Sequence, residues 1–350
     1  MFHRREFLRA ALCGCGLART PRFAAQGANK PLTVDFHAHA FVGDDWPLLR
    51  NRPEAKDLET FVKAPYFESL VSVEARIAEM DRQGVDVQAL SLYVGQYHYW
   101  AERALSAEVV RIQNRKLAEM CATHPKRLVG LGAVSLHLPE LAAEQVTEAV
   151  KLHGFPGFMV TGSVLGEEIS LPRFDPFWAK AQELDCVVFI HPRSFVEGAK
   201  RFQGAGSLGN TVGNPLETTV ALSHMIFDGF LDRFPSLKIV AAHGGGYLPS
   251  YIGRSDNCHT VDPHCRQMMR KPSEYLKQLY FDTLVYSPRV LRHLIDHVGA
   301  DRIVMATDYP FPVASRDPRG DIAAVSGLDE SEREMLLGTT AARLLKLKLA

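Results

Sequence analysis

The sequence predicts an α/β chain folded as a (β/α)8 barrel of the TIM type, and three observations carry that expectation. Short β-rich runs alternate with helical patterns along almost the whole chain. About eight such units fit into its 350 residues, and no Pro/Ser-rich linker interrupts them. A hydrophobic content of 46% in a chain of this length supplies a large core.

In chain order the strand candidates are "TVDFHAHA", "VDVQALSLY", "RLVGLGAVSL", "GFPGFMVTG", "CVVFIHP", "KIVAAHGGG", "QLYFDTL" and "RIVMATDYP". Each is rich in β-branched or apolar residues and bounded by turn-forming ones. Between them lie amphipathic stretches such as "VEARIAEMDRQG" and "PELAAEQVTEAVKLHG", closed by Gly84 and Gly154. A doubly wound sheet is the runner-up, since Gly204-Ala205-Gly206-Ser207-Leu208-Gly209 has the spacing of a phosphate-binding fingerprint. No strand candidate runs into that segment and no helix is expected to open from it, so it reads as a flexible loop.

The first 30 residues form a separate unit. Arg4-Arg5-Glu6-Phe7-Leu8, a short apolar run and the small residues near Ala24 and Ala25 have the layout of a twin-arginine export signal. Residues 31–350 are then one barrel domain, exported to the periplasm; a disordered basic tail on a cytoplasmic protein is the alternative. No later run is apolar for long enough to span a bilayer. Lys and Arg number 40 against 40 Asp and Glu, so no net field attracts nucleic acid or an anionic membrane. The expected partners are small molecules and other subunits.

Two of the 6 cysteines fall in the signal, leaving Cys121, Cys186, Cys258 and Cys265. "CHTVDPHC" offers a disulfide loop or, with His259 and His264, a rival metal cluster. It lacks paired CxxC spacing, so two unlinked thiols or a disulfide are favoured over a metal.

Chemistry in such a barrel gathers at the C-terminal ends of the strands. His37 and His39 end the first strand, with side chains on one face because strand positions alternate. His191, His243 and Asp308 end three later strands. Any one of them alone reads as a hydrogen-bonded core residue. Five ionisable groups buried at one rim are costly unless they share a purpose, and a divalent cation is the usual one. Three imidazoles and a carboxylate suit Zn²⁺, with Mn²⁺ or Fe²⁺ as alternatives. The fourth strand, "GFMVTG", has no lysine of the kind that bridges two ions, so one metal is expected.

The pattern His-x-His, His-Pro, "GNPLETT", "AHGGG", "YFDT" and "TDYPFP" resembles the amidohydrolase-related superfamily of metal-dependent hydrolase-like barrels, and most of all its α-amino-β-carboxymuconate-ε-semialdehyde decarboxylase group. The likeness runs from about Thr33 to the last helix. It implies that His37, His39, His191 and Asp308 are metal ligands, and that His243 is the catalytic acid/base beside them, with Asp308 also in the catalytic set. It implies that Tyr99 and Trp100 contact substrate and that a homodimer lends Arg254 to the neighbouring site; Trp46 is a further substrate-binding candidate.

Two departures point to a different substrate. Phe67 falls where the group has a carboxylate-gripping arginine, and Arg193 replaces its tryptophan after His-Pro. Arg193 is therefore a candidate relocated clamp. The expected activity is non-oxidative decarboxylation of an unsaturated or aromatic carboxylic acid. A hydrolase or hydratase of a lactone, amide or unsaturated acid is the alternative on the same site, and a non-catalytic metal-binding barrel ranks last because it has no use for His243.

Overall fold

The computed structural model describes residues 22–23 and 30–349. The arginine pair and the rest of the export-like tail lie outside the described residues, apart from Arg22–Phe23, a two-residue strand paired with Lys348–Leu349.

Eight parallel strands form the barrel: β1 Val34–Ala40, β2 Val87–Leu92, β3 Leu128–Gly132, β4 Gly157–Thr161, β5 Val187–His191, β6 Lys238–Ala241, β7 Tyr280–Asp282 and β8 Ile303–Val304. Each pairs with its neighbours in sequence, so the order runs from β1 to β8 without a reversal. A doubly wound sheet would reverse at a switch point, and this one does not. The seam between β1 and β8 is narrow. It consists of the bridge between Ala38 and Tyr309 and hydrogen bonds from Phe36 N to Met305 O (2.9 Å), Asp308 N to His37 O (2.8 Å) and His39 N to Tyr309 O (2.8 Å).

The crossover helices include α1 Val73–Gln83, α2 Arg103–Thr123, α3 Pro139–His153, α4 Asp175–Glu183, α5 Asn214–Phe227, α6 Leu248–Val261 and α7 Pro288–Val298. A helical run over 330–344 follows β8. Ser72 caps α1 by accepting from Ala75 N, and Gly84 and Gly154 close α1 and α3 in the left-handed region at φ 69° and 67°, as their sequence positions require. The core lies between strands and helices. Trp178 and Phe177 of α4, with Phe230 below, are fully buried against it, and burying each such ring is worth roughly 1.5–3 kcal/mol. No described helix is long and apolar enough to cross a membrane.

Two regions differ from the sequence expectation. The glycine-rich segment is ordered helical chain: turns at Ala205–Ser207 and Gly209–Gly213 run directly into α5, so a helix does open from it. Pro215 stands in the first turn of α5. After β1, three short helices, Trp46–Leu49, Lys56–Phe61 and Phe67–Val71, pack an aromatic cluster at the C-terminal rim. Phe41, Leu58 and Leu70 are its centre, with Phe61, Tyr66, Phe67 and Tyr93 around them. Phe67 lies edge-on to Phe41 at 5.0 Å, an apolar contact that an arginine would not make. Cys258 and Cys265 form a disulfide, which removes both thiolates from metal ligation; Cys121 and Cys186 are buried thiols.

Candidate active site

β1 is buried along its whole length, so its two histidines face a space from which water is excluded. His37 donates from Nδ1 to Asp282 Oδ2 at 2.8 Å, and the Ser91 hydroxyl lies 3.3 Å from His39 Nδ1. With both Nδ1 atoms turned to acceptors, the bare lone pairs sit on Nε2, and the two Nε2 atoms face each other at 3.1 Å. Asp308 Oδ1 stands 3.4 Å from one and 3.3 Å from the other, and has no hydrogen-bond partner. His191 closes the group, its ring 4.9 Å from that of His37 and 4.8 Å from that of His39. Donor atoms of His37, His39, His191 and Asp308 all fall within 4.8 Å of one another.

These facing lone pairs and the orphaned carboxylate oxygen call for a positive charge among them. Burial depresses the His37 imidazole, but the carboxylates of Asp308 and Asp282 outweigh it and push the ring up to about 10. Burial, reinforced by the neighbouring rings, holds His191 well below the usual histidine range, and burial also lowers His39. The set is thus one strongly acidic carboxylate and imidazoles packed too closely to be protonated together. With an ion in place of the proton that the carboxylates draw onto His37, three imidazole nitrogens and one oxygen fit a divalent cation. β4 ends at Thr161 and Gly162 with no lysine, which matches a single ion.

His243 stands beside this set. Its Nε2 lies 4.0 Å from Asp308 Oδ2, its side chain keeps 12% exposure, and its buried Nδ1 has no partner. Backbone geometry aims it: φ is +55° at His243 and +63° at Asp308. Left-handed conformations at non-glycine residues cost of order 1–3 kcal/mol each and persist where the surroundings enforce them. Here Gly244, Gly245 and Gly246 follow, all at positive φ, and a side chain at Gly246 would run into the Pro215 carbonyl of α5. Asp282 Oδ1 accepts from Gly244 N at 2.8 Å. One carboxylate therefore orients the His37 ring and the turn that carries His243. Sequence reading assigned Asp282 no role; its only signal was the acid in the buried run "YFDT".

The amidohydrolase profile matches residues 34–347, every barrel strand and the whole cluster. The chain belongs to the amidohydrolase family. Among its relatives, 2-amino-3-carboxymuconate-6-semialdehyde decarboxylase of Dictyostelium discoideum is 29% identical over 335 residues, covering 91% of this chain and 92% of the relative. Gamma-resorcylate decarboxylase of Rhodococcus jostii (strain RHA1) is 30% identical, covering 83% and 94%. In structure, dihydroxybenzoic acid decarboxylase from Polaromonas sp. JS666, with bound manganese and the inhibitor 2-nitroresorcinol, superposes with a TM-score of 0.78 at 26% identity over 92% of this chain and 98% of that one.

The other residues singled out in this amidohydrolase fall into different settings. Arg193 is exposed just beyond His191, with Nη1 donating to Tyr97 O at 3.4 Å. Tyr99 is buried, with ring contacts to Tyr97 and His137, and Trp100 meets His98. Trp46 and Trp100 pack on the apolar group of Leu49, Ala55 and Val109 rather than on the ligands. Arg254 is exposed on α6, in a surface groove beside the disulfide, away from its own chain's cluster. Two phenylalanine rings meet the donor cluster: Phe189 of β5 lies 4.8 Å from His37, and Phe311 lies 5.2 Å from His39 and continues into Tyr66 at 5.5 Å and Tyr93 at 6.0 Å. Tyr93 in turn stacks on Phe61 at 3.7 Å. This aromatic wall was not read from the sequence, because its members come from three separate segments.

Proposed function

We propose that this amidohydrolase is a metal-dependent, non-oxidative carboxy-lyase that decarboxylates an aromatic or unsaturated carboxylic acid. The carrying observation is His243, a proton-transfer group held at the rim beside the four donors but outside their set. The aromatic wall from Phe311 to Phe61 supports a planar substrate, and the relatives' names supply its class. A divalent ion in the site supplies Lewis acidity that orients and polarises the substrate's oxygens. His243 delivers a proton to the carbon bearing the carboxylate, and the carbon–carbon bond then breaks. Its electron pair returns to the substrate's π system as CO₂ leaves. His243 is reprotonated from water, while Asp282 holds its turn in register through Gly244 N. The nitrogen-rich donor set favours zinc, and the manganese of the dihydroxybenzoic acid decarboxylase makes manganese the second choice.

Incubating metal-loaded enzyme with a panel of aromatic and muconate-type acids and measuring CO₂ tests the reading. Turnover of a lactone or amide, with no acid on the panel releasing CO₂, overturns it in favour of hydrolysis. Arg193 is the proposed carboxylate clamp, since a guanidinium grips a carboxylate with two hydrogen bonds that lysine does not reproduce. Arg193→Lys is expected to raise KM for the acid about tenfold with metal content unchanged. A parental KM moves the clamp to Arg50, Arg52 or Arg254.

The proposal extends to a homodimer in which Arg254 completes the partner's pocket, supported by the family likeness and by the exposure of Arg254 away from its own cluster. Mixing inactive Arg254→Ala and His243→Ala chains is expected to restore activity, because one site per mixed dimer is intact. No recovery after verified subunit exchange removes Arg254 from the neighbouring site. Export through the arginine-pair tail is likewise proposed from the sequence, and is checked by fractionating cells that express the full chain.

A further inference from the structure

Beneath the donor cluster runs a chain of fully buried polar side chains that the reaction does not use. Asp35 of β1, Arg76 of α1, Gln88 of β2 and Thr307 just after β8 are each at most 1% exposed. Asp35 Oδ1 accepts from His37 N at 3.1 Å and Thr307 N at 3.0 Å; Oδ2 accepts from Gln88 Nε2 at 2.8 Å and from the Thr307 hydroxyl at 2.6 Å. Four donors occupy the two oxygens, so both act as acceptors. The counter-charge of Asp35 is Arg76, one amide away: Nη1 donates to Gln88 Oε1 at 2.8 Å, and Nη2 to the His39 carbonyl at 2.6 Å. The Gln88 amide is thereby held in one orientation, oxygen to the cation and nitrogen to the anion.

The relay lies at the seam where the barrel closes. β1 slips register against β2 between Asp35 and Ala38, and β1 meets β8 through only the few backbone bonds described above. Metal donors stand on both sides of that seam, His37 and His39 on one and Asp308, next to Thr307, on the other. We propose that Arg76, Gln88, Asp35 and Thr307 are positioning residues that clamp the seam and, through the backbones of His37, His39 and Asp308, set the spacing of the metal donors. This rests on the metal-site reading above. It assigns a role that Asp282 does not fill, since Asp282 grips a ligand ring directly while the relay's bonds to the ligand residues reach backbone N–H and carbonyl groups.

The test uses the full chain loaded with Co²⁺, whose visible absorption reports donor geometry, together with the rate of Co²⁺ loss to a chelator and a circular-dichroism melt. Asp35→Asn sets an amide N–H₂ against existing donors. It is expected to shift the Co²⁺ band and speed metal loss by about 10-fold or more, the scale seen when groups behind metal ligands are removed. Thr307→Val removes a single hydroxyl at constant shape and is expected to shift the band in the same direction by less, with Thr307→Ser restoring the parental band and rate. Should Asp35→Asn fail to fold, the Val/Ser pair decides. Parental bands and release rates in the variants overturn the relay while leaving the metal site standing. A parent chain that takes up no Co²⁺ overturns the metal-site reading and the relay with it.

Discussion

Replacing His243 with alanine is expected to slow CO₂ release by about 10²–10⁴-fold, the usual contribution of a positioned general acid, while the chain keeps one divalent ion. The geometry separates the two outcomes. His243 Nε2 is 4.0 Å from Asp308 Oδ2, whereas the four proposed ligands bring their donors together without it. His243 already sits at φ +55°, so alanine inherits the left-handed strain of the parent without adding to it. His243→Asn, whose short polar side chain tolerates the left-handed region, separates strain from chemistry. It is expected to melt no lower than the alanine variant and to be equally slow. Metal lost along with activity makes His243 a ligand, and near-parental turnover removes it from the mechanism.

The His37→Ala/His39→Ala double variant is expected to retain almost no metal by elemental analysis and to release no measurable CO₂. It removes two of the four donors and takes the ring N–H away from Asp282, which then carries a buried charge with one fewer partner. Removing one hydrogen bond from a buried charged group typically costs about 1.5–3 kcal/mol, so the variant should also melt earlier. Added metal raises the melting temperature of the parent and leaves the variant unmoved, since only a state that binds the ion is stabilised by it. Full occupancy in the double variant, or two ions per parent chain, counts against the assignment.

Much of the barrel and the donor set was legible because each signal was local. A strand of buried apolar residues ending in histidine announces itself, and so does a helix ending in Gly84 or Gly154. The supporting parts depend on contacts between distant segments. Arg76 falls on the apolar face of its run, three residues after Val73 and four before Met80, and only the contacts show why a cation is buried there: Gln88 and the His39 carbonyl wait beneath it. The short helices over 46–71 have too few residues to form from propensity; aromatic packing from Phe41 and Tyr93 holds them. No sequence pattern marks the left-handed backbone at His243 and Asp308, which follows from the crowding around the turns that carry them. Arg193 and Arg254 look alike as surface arginines, and only the fold shows that the first lies beside the rim and the second beyond it.

The seam between the first and last strands also fixes a timetable. Asp35 reaches Thr307 across 272 positions of sequence, and contacts of that separation form late because the intervening loop must close first. A nascent chain still short of β8 already holds all three histidine donors, yet has neither the aspartate that completes the set nor the strand that closes the barrel beside them. Capture of the ion therefore belongs to the end of maturation, after synthesis has passed β8, and a truncated chain lacking the last strand stays metal-free however much of the barrel it contains.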